Sequence, residues 1–196
     1  MLVIISGLSG SGKSFLIDLI LECFPEFNFL PIDANRISKA NSLDDLDLDP
    51  RRNYLVHYDF SFPYNNGFNG FQEDIGLQIV LDTVSHLKLD TKCLILNPPI
   101  KCHLERYDSR AVSRTSSKGI FSRLNRQFRI FSRIVRGKNR KKTIHDNYKS
   151  KVWRDAILLD WLNFLDSQNI TASVCNLTDK NKLMIFLADY FLSRSP

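Results

Sequence analysis

The stretch Gly7-Leu8-Ser9-Gly10-Ser11-Gly12-Lys13-Ser14 has the spacing GxxxxGK[ST]. Its parts suit one task, the binding of a row of phosphates. Glycines let a backbone adopt positive φ and turn its N–H groups inward around anionic oxygens. A helix beginning at Lys13 would present the positive end of its dipole to the same anion. The Lys13 ammonium would reach the β- and γ-phosphates, and the Ser14 hydroxyl would coordinate Mg²⁺. The expected contact set for the cofactor, ATP with Mg²⁺, therefore runs from Gly7 through Ser14 to Phe15.

Phosphoryl chemistry also needs an acid to hold the metal ion or its water, and often a base for an acceptor hydroxyl. Asp59 closes the apolar run Tyr54-Leu55-Val56-His57-Tyr58 and, with Ser14, is the expected metal ligand. Asp33 ends another strand-like run and is the candidate substrate-side base. Asp44, Asp45, Asp47 and Asp49 read as a solvated acidic stretch rather than a metal site. After Asn97-Pro98-Pro99, Arg106, Arg110 and Arg114 could neutralise charge on a transferring phosphoryl group and exclude water on closure. With Lys13, Asp33 and Asp59, Arg106 and Arg110 complete the candidate catalytic set.

The positive charge is concentrated in one place. Residues 101–151 hold 16 Lys and Arg against three acids, whereas the remainder holds 11 basic and 18 acidic residues. At helical spacing, Phe121, Leu124, Phe128, Phe131 and Val135 share one side; Arg126, Arg129, Arg133, Arg136 and Arg140 share the other. Residues 123–142 could thus dock an apolar stripe and offer guanidiniums to a polyanion. Arginine in preference to lysine favours bidentate contacts with phosphate or sulfate.

The elements that must position these groups alternate. Leu2–Ser6 reads as a buried strand and Lys13–Phe24 as a helix with Phe15, Leu16, Leu19, Ile20 and Cys23 on one side. Strands follow at Phe27–Ile32, Tyr54–Phe60, Lys92–Leu96 and Ile170–Asn176. Helices follow at Glu73–Leu87, after Pro99, at Val152–Ser167 and at Lys182–Ser193. Ser61–Gln72 reads as a loop, rich in Asn, Gly and Pro. Five strands separated by helices predict one α/β domain over 1–196, with a parallel sheet covered on both faces. Ligands on such sheets bind at the carboxyl ends of the strands, beside the loops after Ser6, Ile32, Asp59 and Asn97.

The loop ISGLSGSGKS resembles that of adenylylsulfate kinases, and that of nucleotide-binding regulators that deliver a small RNA to its ribonuclease. The first resemblance extends to Asp33-Ala34-Asn35-Arg36. At the level of the P-loop kinase superfamily it implies a nucleoside-monophosphate-kinase-like fold in which 101–151 is a basic helical lid. It also implies transfer of the γ-phosphoryl group of ATP to a small hydroxylated or anionic metabolite. Asn176 to Asp179 stand where many such kinases hold the adenine ring. Two alternatives remain: an NTP-dependent regulator whose arginine-rich helix binds a polyanion such as RNA, and a sulfotransferase-like enzyme, whose phosphosulfate loop does not normally carry the full GKS.

Composition bounds the rest. At 43% hydrophobic residues and 11% aromatics, a chain of 196 residues can bury a full core. No stretch reaches the roughly 18 to 20 apolar residues of a membrane span. The apolar start is too short for a signal peptide. Cys23, Cys93, Cys102 and Cys175 are scattered without a CxxC pair, so no disulfide framework is expected and the cytoplasm is the predicted compartment.

Overall fold

The computed structural model describes residues 1–33, 37, 46, 48–116 and 144–192, with the backbone alone over 110–116. Strands β1 (Leu2–Gly7), β2 (Phe29–Ile32), β3 (Asn53–Asp59), β4 (Thr91–Leu96) and β5 (Thr171–Cys175) form one sheet. Their order is β2-β3-β1-β4-β5, and every pairing is parallel. The longer helices among the described residues are α1 (Lys13–Cys23), α2 (Ile75–Leu87), α3 (Ile100–Ser116), α4 (Lys151–Ser167) and α5 (Lys180–Leu192). A further helical stretch covers 144–149.

β1 is central, and all six of its residues are buried. Apolar side chains must therefore face both ways, and successive residues divide between two cores. Leu2 and Ile4 join Tyr54, Val56, Tyr58 and Ile95 beneath α2 and α4. Val3 and Ile5 join Leu55, Leu94 and Leu96 beneath α1 and α5. The expected α/β arrangement, with a five-stranded parallel sheet flanked by helices, is the one observed. Among the described residues, no helix is long and apolar enough to cross a membrane.

Polar groups anchor the first core. The Trp161 indole N–H donates to Ser6 Oγ at 2.9 Å, and Ser6 Oγ lies 3.3 Å from Cys93 Sγ. Burial pushes the Cys93 thiol up to about 12. Asp74 caps α2 by accepting from the Leu77 amide, and also accepts from the Tyr58 hydroxyl at 2.9 Å.

Three expectations are corrected. The strand expected from Phe27 starts at Phe29, because Pro25–Phe27 forms a 3-10 turn and Asn28 takes φ 47°. Ser61–Gln72 is not all loop: Pro63, pre-set for helix, supports a helical turn over Phe62–Asn65, and Phe71–Glu73 is a 3-10 turn. Phe15, expected among the buried positions of α1, is 53% exposed, and Ile17 is buried instead. The arginine stripe and its apolar partners in 119–140 lie outside the described residues, as do Ala34, Asn35, Arg36, Asp44, Asp45 and Asp47.

Candidate functional site

The loop between β1 and α1 turns on three glycines in positive φ: Gly7 at 155°, Gly10 at 92° and Gly12 at 106°. A Cβ on Gly7 would stand 2.5 Å from Ser11 Oγ and 2.7 Å from the Leu96 carbonyl oxygen, so the loop doubles back too tightly for a side chain there. Gly12 caps α1 without any side-chain hydrogen bond, and the first turn of α1 contains no acid. The helix thus brings no carboxylate of its own to its positive end at the loop.

Lys13 turns back into the loop, where its ammonium donates to the carbonyls of Gly7 (2.8 Å) and Leu8 (2.9 Å). It is only 5% exposed. Leu8 O also accepts from the Ser11 amide at 3.0 Å, which closes the turn. The Ser11 hydroxyl is buried and has no partner among the described residues. A buried hydroxyl left unbonded is costly, and such groups are rare. Ser14 and Phe15 are exposed.

α3 lies across this loop. Residues i, i+3 and i+4 of a helix share a face, and His103, Arg106 and Tyr107 use that face against the loop. His103 Nε2 is 2.7 Å from Ser9 O, and Arg106 Nη1 donates to Ser11 O at 3.0 Å. A Cβ on Gly10 would meet Tyr107 Cβ at 3.3 Å, so only glycine allows α3 so close. Arg106 thus meets the loop. Arg110 and Arg114 follow on α3, with side chains outside the described residues.

Behind His103 stands Arg154 of α4, 5% exposed. Its guanidinium faces His103 Nδ1 at 3.2 Å and donates to Asn97 Oδ1 (3.2 Å) and the Pro98 carbonyl (2.8 Å). A guanidinium can only donate and a carbonyl can only accept. The imidazole is therefore neutral, accepting at Nδ1 and donating from Nε2 to Ser9. Burial holds the His103 pKa below the ordinary histidine value, and the charges of Arg154 and Lys13 act in the same direction. Among the described residues no carboxylate forms a salt bridge with Arg154.

On the other side of β1, Asp59 is in register with Gly7 at the end of β3. Its Oδ1 accepts from the Ser61 amide (3.0 Å) and hydroxyl (2.7 Å). Ser61 Oγ continues to the buried Tyr148 hydroxyl at 2.9 Å, and Asn65 Nδ2 donates to both Ser61 Oγ and Tyr148. Burial raises the Tyr148 pKa, as does the Asp59 charge. Asp33 follows β2, two strands from β1, so roughly 10 Å separates their strand ends. Asp49 pairs with Arg51 at 2.9 Å on the surface, and that guanidinium holds its carboxyl down at about 2.

A cleft of about 380 Å³ opens beside the loop, lined by Gly10, Gly12, Phe15, Arg106, Thr178 and Lys180 among others. It joins the start of α1 to the segment after β5. No protein-family model matches the chain, and no curated protein matches it.

Sequence reasoning brought Lys13, Asp59 and Arg106 to this end of the sheet and missed His103, Arg154 and Tyr148. Arg154 did leave a signal, because it falls in phase with the buried stripe Ile157, Trp161, Phe164 and Leu165 of α4. A charge on the apolar stripe of a helix requires a buried partner. Nothing in the sequence says that the partner is a histidine 51 residues away.

Proposed function

We propose that this chain is a small P-loop kinase that binds ATP with Mg²⁺ on the loop Gly7–Ser14 and transfers the γ-phosphoryl group to a small acceptor. The observation that carries the reading is the buried Lys13 ammonium. It lies inside a glycine turn at the end of the central strand, at the start of a helix capped by no side chain. Such a site offers an anion both a full charge and a helix dipole.

Each expected residue has a role consistent with its position. Lys13 exchanges neutral carbonyl acceptors for anionic phosphate oxygens, which adds the attraction of a full opposite charge to hydrogen bonds its ammonium already donates. The buried, unpartnered Ser11 hydroxyl fits a loop built around an oxygen-rich ligand. The exposed Phe15 ring and the Thr178 side of the cleft suit the base, since a planar aromatic can stack on a nucleobase. The volume of the cleft is in the range of small-ligand sites.

The donor set also fits a magnesium ion. Among the described residues no group of three His, Cys, Asp or Glu side chains could hold a metal by itself. Ser14 and Asp59 would supply two oxygens, and Mg²⁺ typically takes the rest from phosphates and water. When bound, the ion supplies neutralisation of phosphate charge. Asp59 keeps Oδ2 without a hydrogen-bond partner among the described residues, while Ser61 fixes its other oxygen. Arg106, held at Ser11 O, stands ready to stabilise negative charge as it develops on the transferred group. The acceptor would lie between Asp59 and Asp33, under the segment 61–72.

Calorimetric titration of wild type and Lys13→Ala with Mg·ATP tests the reading. Micromolar binding by wild type that weakens about a hundredfold or more in the variant is expected, since a charged hydrogen-bond donor is lost from a buried site. Equal binding by the two proteins overturns it. ATP consumption against a panel of hydroxylated and anionic metabolites then separates transfer from binding alone.

A further inference from the structure

Two buried side chains behind the loop have no assigned part in nucleotide binding. Arg154 and His103 are 5% and 0% exposed, and both cost free energy to desolvate. Among the described residues the guanidinium is bonded only to neutral acceptors: His103 Nδ1, Asn97 Oδ1 and the Pro98 carbonyl. Asn97 is itself tied to β5, donating its amide to the Cys175 carbonyl at 2.9 Å. A continuous chain of hydrogen bonds therefore runs from the end of β5 through Asn97, Arg154 and His103 to the carbonyl of Ser9.

The last link fixes a peptide. Ser9 C=O and Gly10 N–H belong to one planar trans unit and point in opposite directions. Holding the oxygen against α3 turns the Gly10 amide away from α3. Arg106 does the same at the next peptide but one, by holding Ser11 O at 3.0 Å. Gly10, at φ 92° with α3 within van der Waals distance, has no side chain of its own to resist rotation.

We infer that Arg154 and His103 are positioning residues of the phosphate site: the buried guanidinium, acting through a neutral imidazole, holds the Ser9 carbonyl back so that the Gly10 amide faces the bound anion. The inference rests on the nucleotide reading above. The relay also sets the loop against the end of β5, beyond which lies the Thr178 and Lys180 side of the cleft. Arg154 further supplies a positive charge behind the loop that no carboxylate among the described residues meets in a salt bridge, and a bound anion would be attracted to it.

The test compares His103→Gln with His103→Leu, each titrated with Mg·ATP and with inorganic tripolyphosphate. Glutamine carries an acceptor and a donor in one planar group, as neutral imidazole does. Leucine carries neither and leaves Arg154 unpaired. His103→Leu and Arg154→Met should each weaken both ligands about tenfold or more, as expected when a buried hydrogen bond is left half-made. His103→Gln should restore most of the affinity. The double variant should be no worse than the weaker single one, because the two residues act in series.

Folding is followed by circular dichroism, so that a lowered melting temperature is not read as lost affinity. Folded His103→Leu that binds like wild type overturns the relay, and so does Gln behaving no better than Leu. Loss confined to ATP and absent for tripolyphosphate also overturns it, because the effect would then lie at the base. If His103→Leu does not fold, Arg154→Lys decides. It keeps the charge but cannot bond His103, Asn97 and Pro98 together, so about tenfold weakening is expected and unchanged affinity refutes the relay. Lys13→Ala in the same series separates the two claims. Wild type and Lys13→Ala binding alike removes the nucleotide reading and the relay with it; loss in Lys13→Ala alone removes only the relay.

Discussion

The two ends of the sheet solve the same problem in different ways. At the amino end of β4 and β5, α2 and α4 stop at residues in the left-handed region, Lys88 (φ 51°) and Asn169 (φ 57°). Backbone bonds then close both helix ends, Leu89 N to Val84 O and Ile170 N to Leu165 O. At the carboxyl end, side chains from separate segments do the bonding: Lys13, Ser61, His103 and Arg154, all buried. Among the described residues eight polar or charged ones are buried, and of these Thr83 alone belongs to neither the carboxyl half of the sheet nor the segments around it; it bonds within its own helix. A cleft of about 650 Å³ opens at the amino end, larger than the one beside the loop, yet it contains no buried charge. Volume is thus a poor guide here, and buried charge with few acids near it is the better one.

The sharpest way to break this contrast is to damage the core beneath the carboxyl end without touching the bonds made by Lys13, His103 and Arg154. Trp161 is fully buried, stacks on Tyr58 at 5.1 Å and donates to Ser6. Trp161→Ala removes that volume and also leaves Ser6 Oγ with only the Cys93 contact. A stability loss of about 3–5 kcal/mol is expected in denaturant unfolding. If the carboxyl end is organised by its own polar bonds, the folded fraction should still bind nucleotide with near wild-type affinity. A parallel loss of affinity would show that core packing, and not the hydrogen-bonded chain, sets the loop.

What the sequence disclosed follows the same division. The strand, glycine turn and helix of residues 2–23 are local, so periodicity and turn chemistry sufficed to place them, and Asp59 followed from ending an apolar run. The bond from His103 to Ser9 spans 94 residues, and that from Arg154 to Asn97 spans 57. No local pattern encodes such a pairing; it appears only once β1 and β4 lie side by side and α4 returns over them. Phe15 fails for the opposite reason. Helical spacing counts it with Leu16 and Leu19, but it sits in the first turn of α1, where the side chain lines the cleft instead of the core.

The next effect is smaller and graded with pH. Folding lowers the His103 pKa through burial and the Arg154 and Lys13 charges, with the Ser9 bond and Asp59 opposing. In the window between the lowered folded value and about 6.5, the unfolded chain binds a proton that the folded chain refuses. Stability is therefore unaffected by this group above that window, falls as pH drops through it, and levels off once the folded value is passed. His103→Gln cannot titrate, so its stability should decline less than that of wild type between about pH 7 and 5. Identical acid limbs for the two proteins would mean that His103 accepts a proton in the fold as readily as out of it, which the Arg154 contact forbids.

The smallest change probes the amino end. Lys88 adopts φ 51° only because α2 must stop there, and a side chain in that region costs roughly 1 kcal/mol that glycine avoids. Lys88→Gly removes that strain but makes the unfolded chain more flexible, which offsets part of the gain. The net expectation is stabilisation of a few tenths of a kcal/mol up to about 1 kcal/mol in thermal unfolding. Nucleotide affinity should not move, because the closing bonds at this end are made by backbone and the cap lies at the far end of the sheet from Gly7. Gly10→Ala is the matched opposite: it adds a Cβ 3.3 Å from Tyr107 at φ 92° and should lower affinity and stability together. One left-handed position that gains by losing its side chain and another that loses by acquiring one, with only the second felt by the nucleotide, is the outcome a division of labour between the two ends requires.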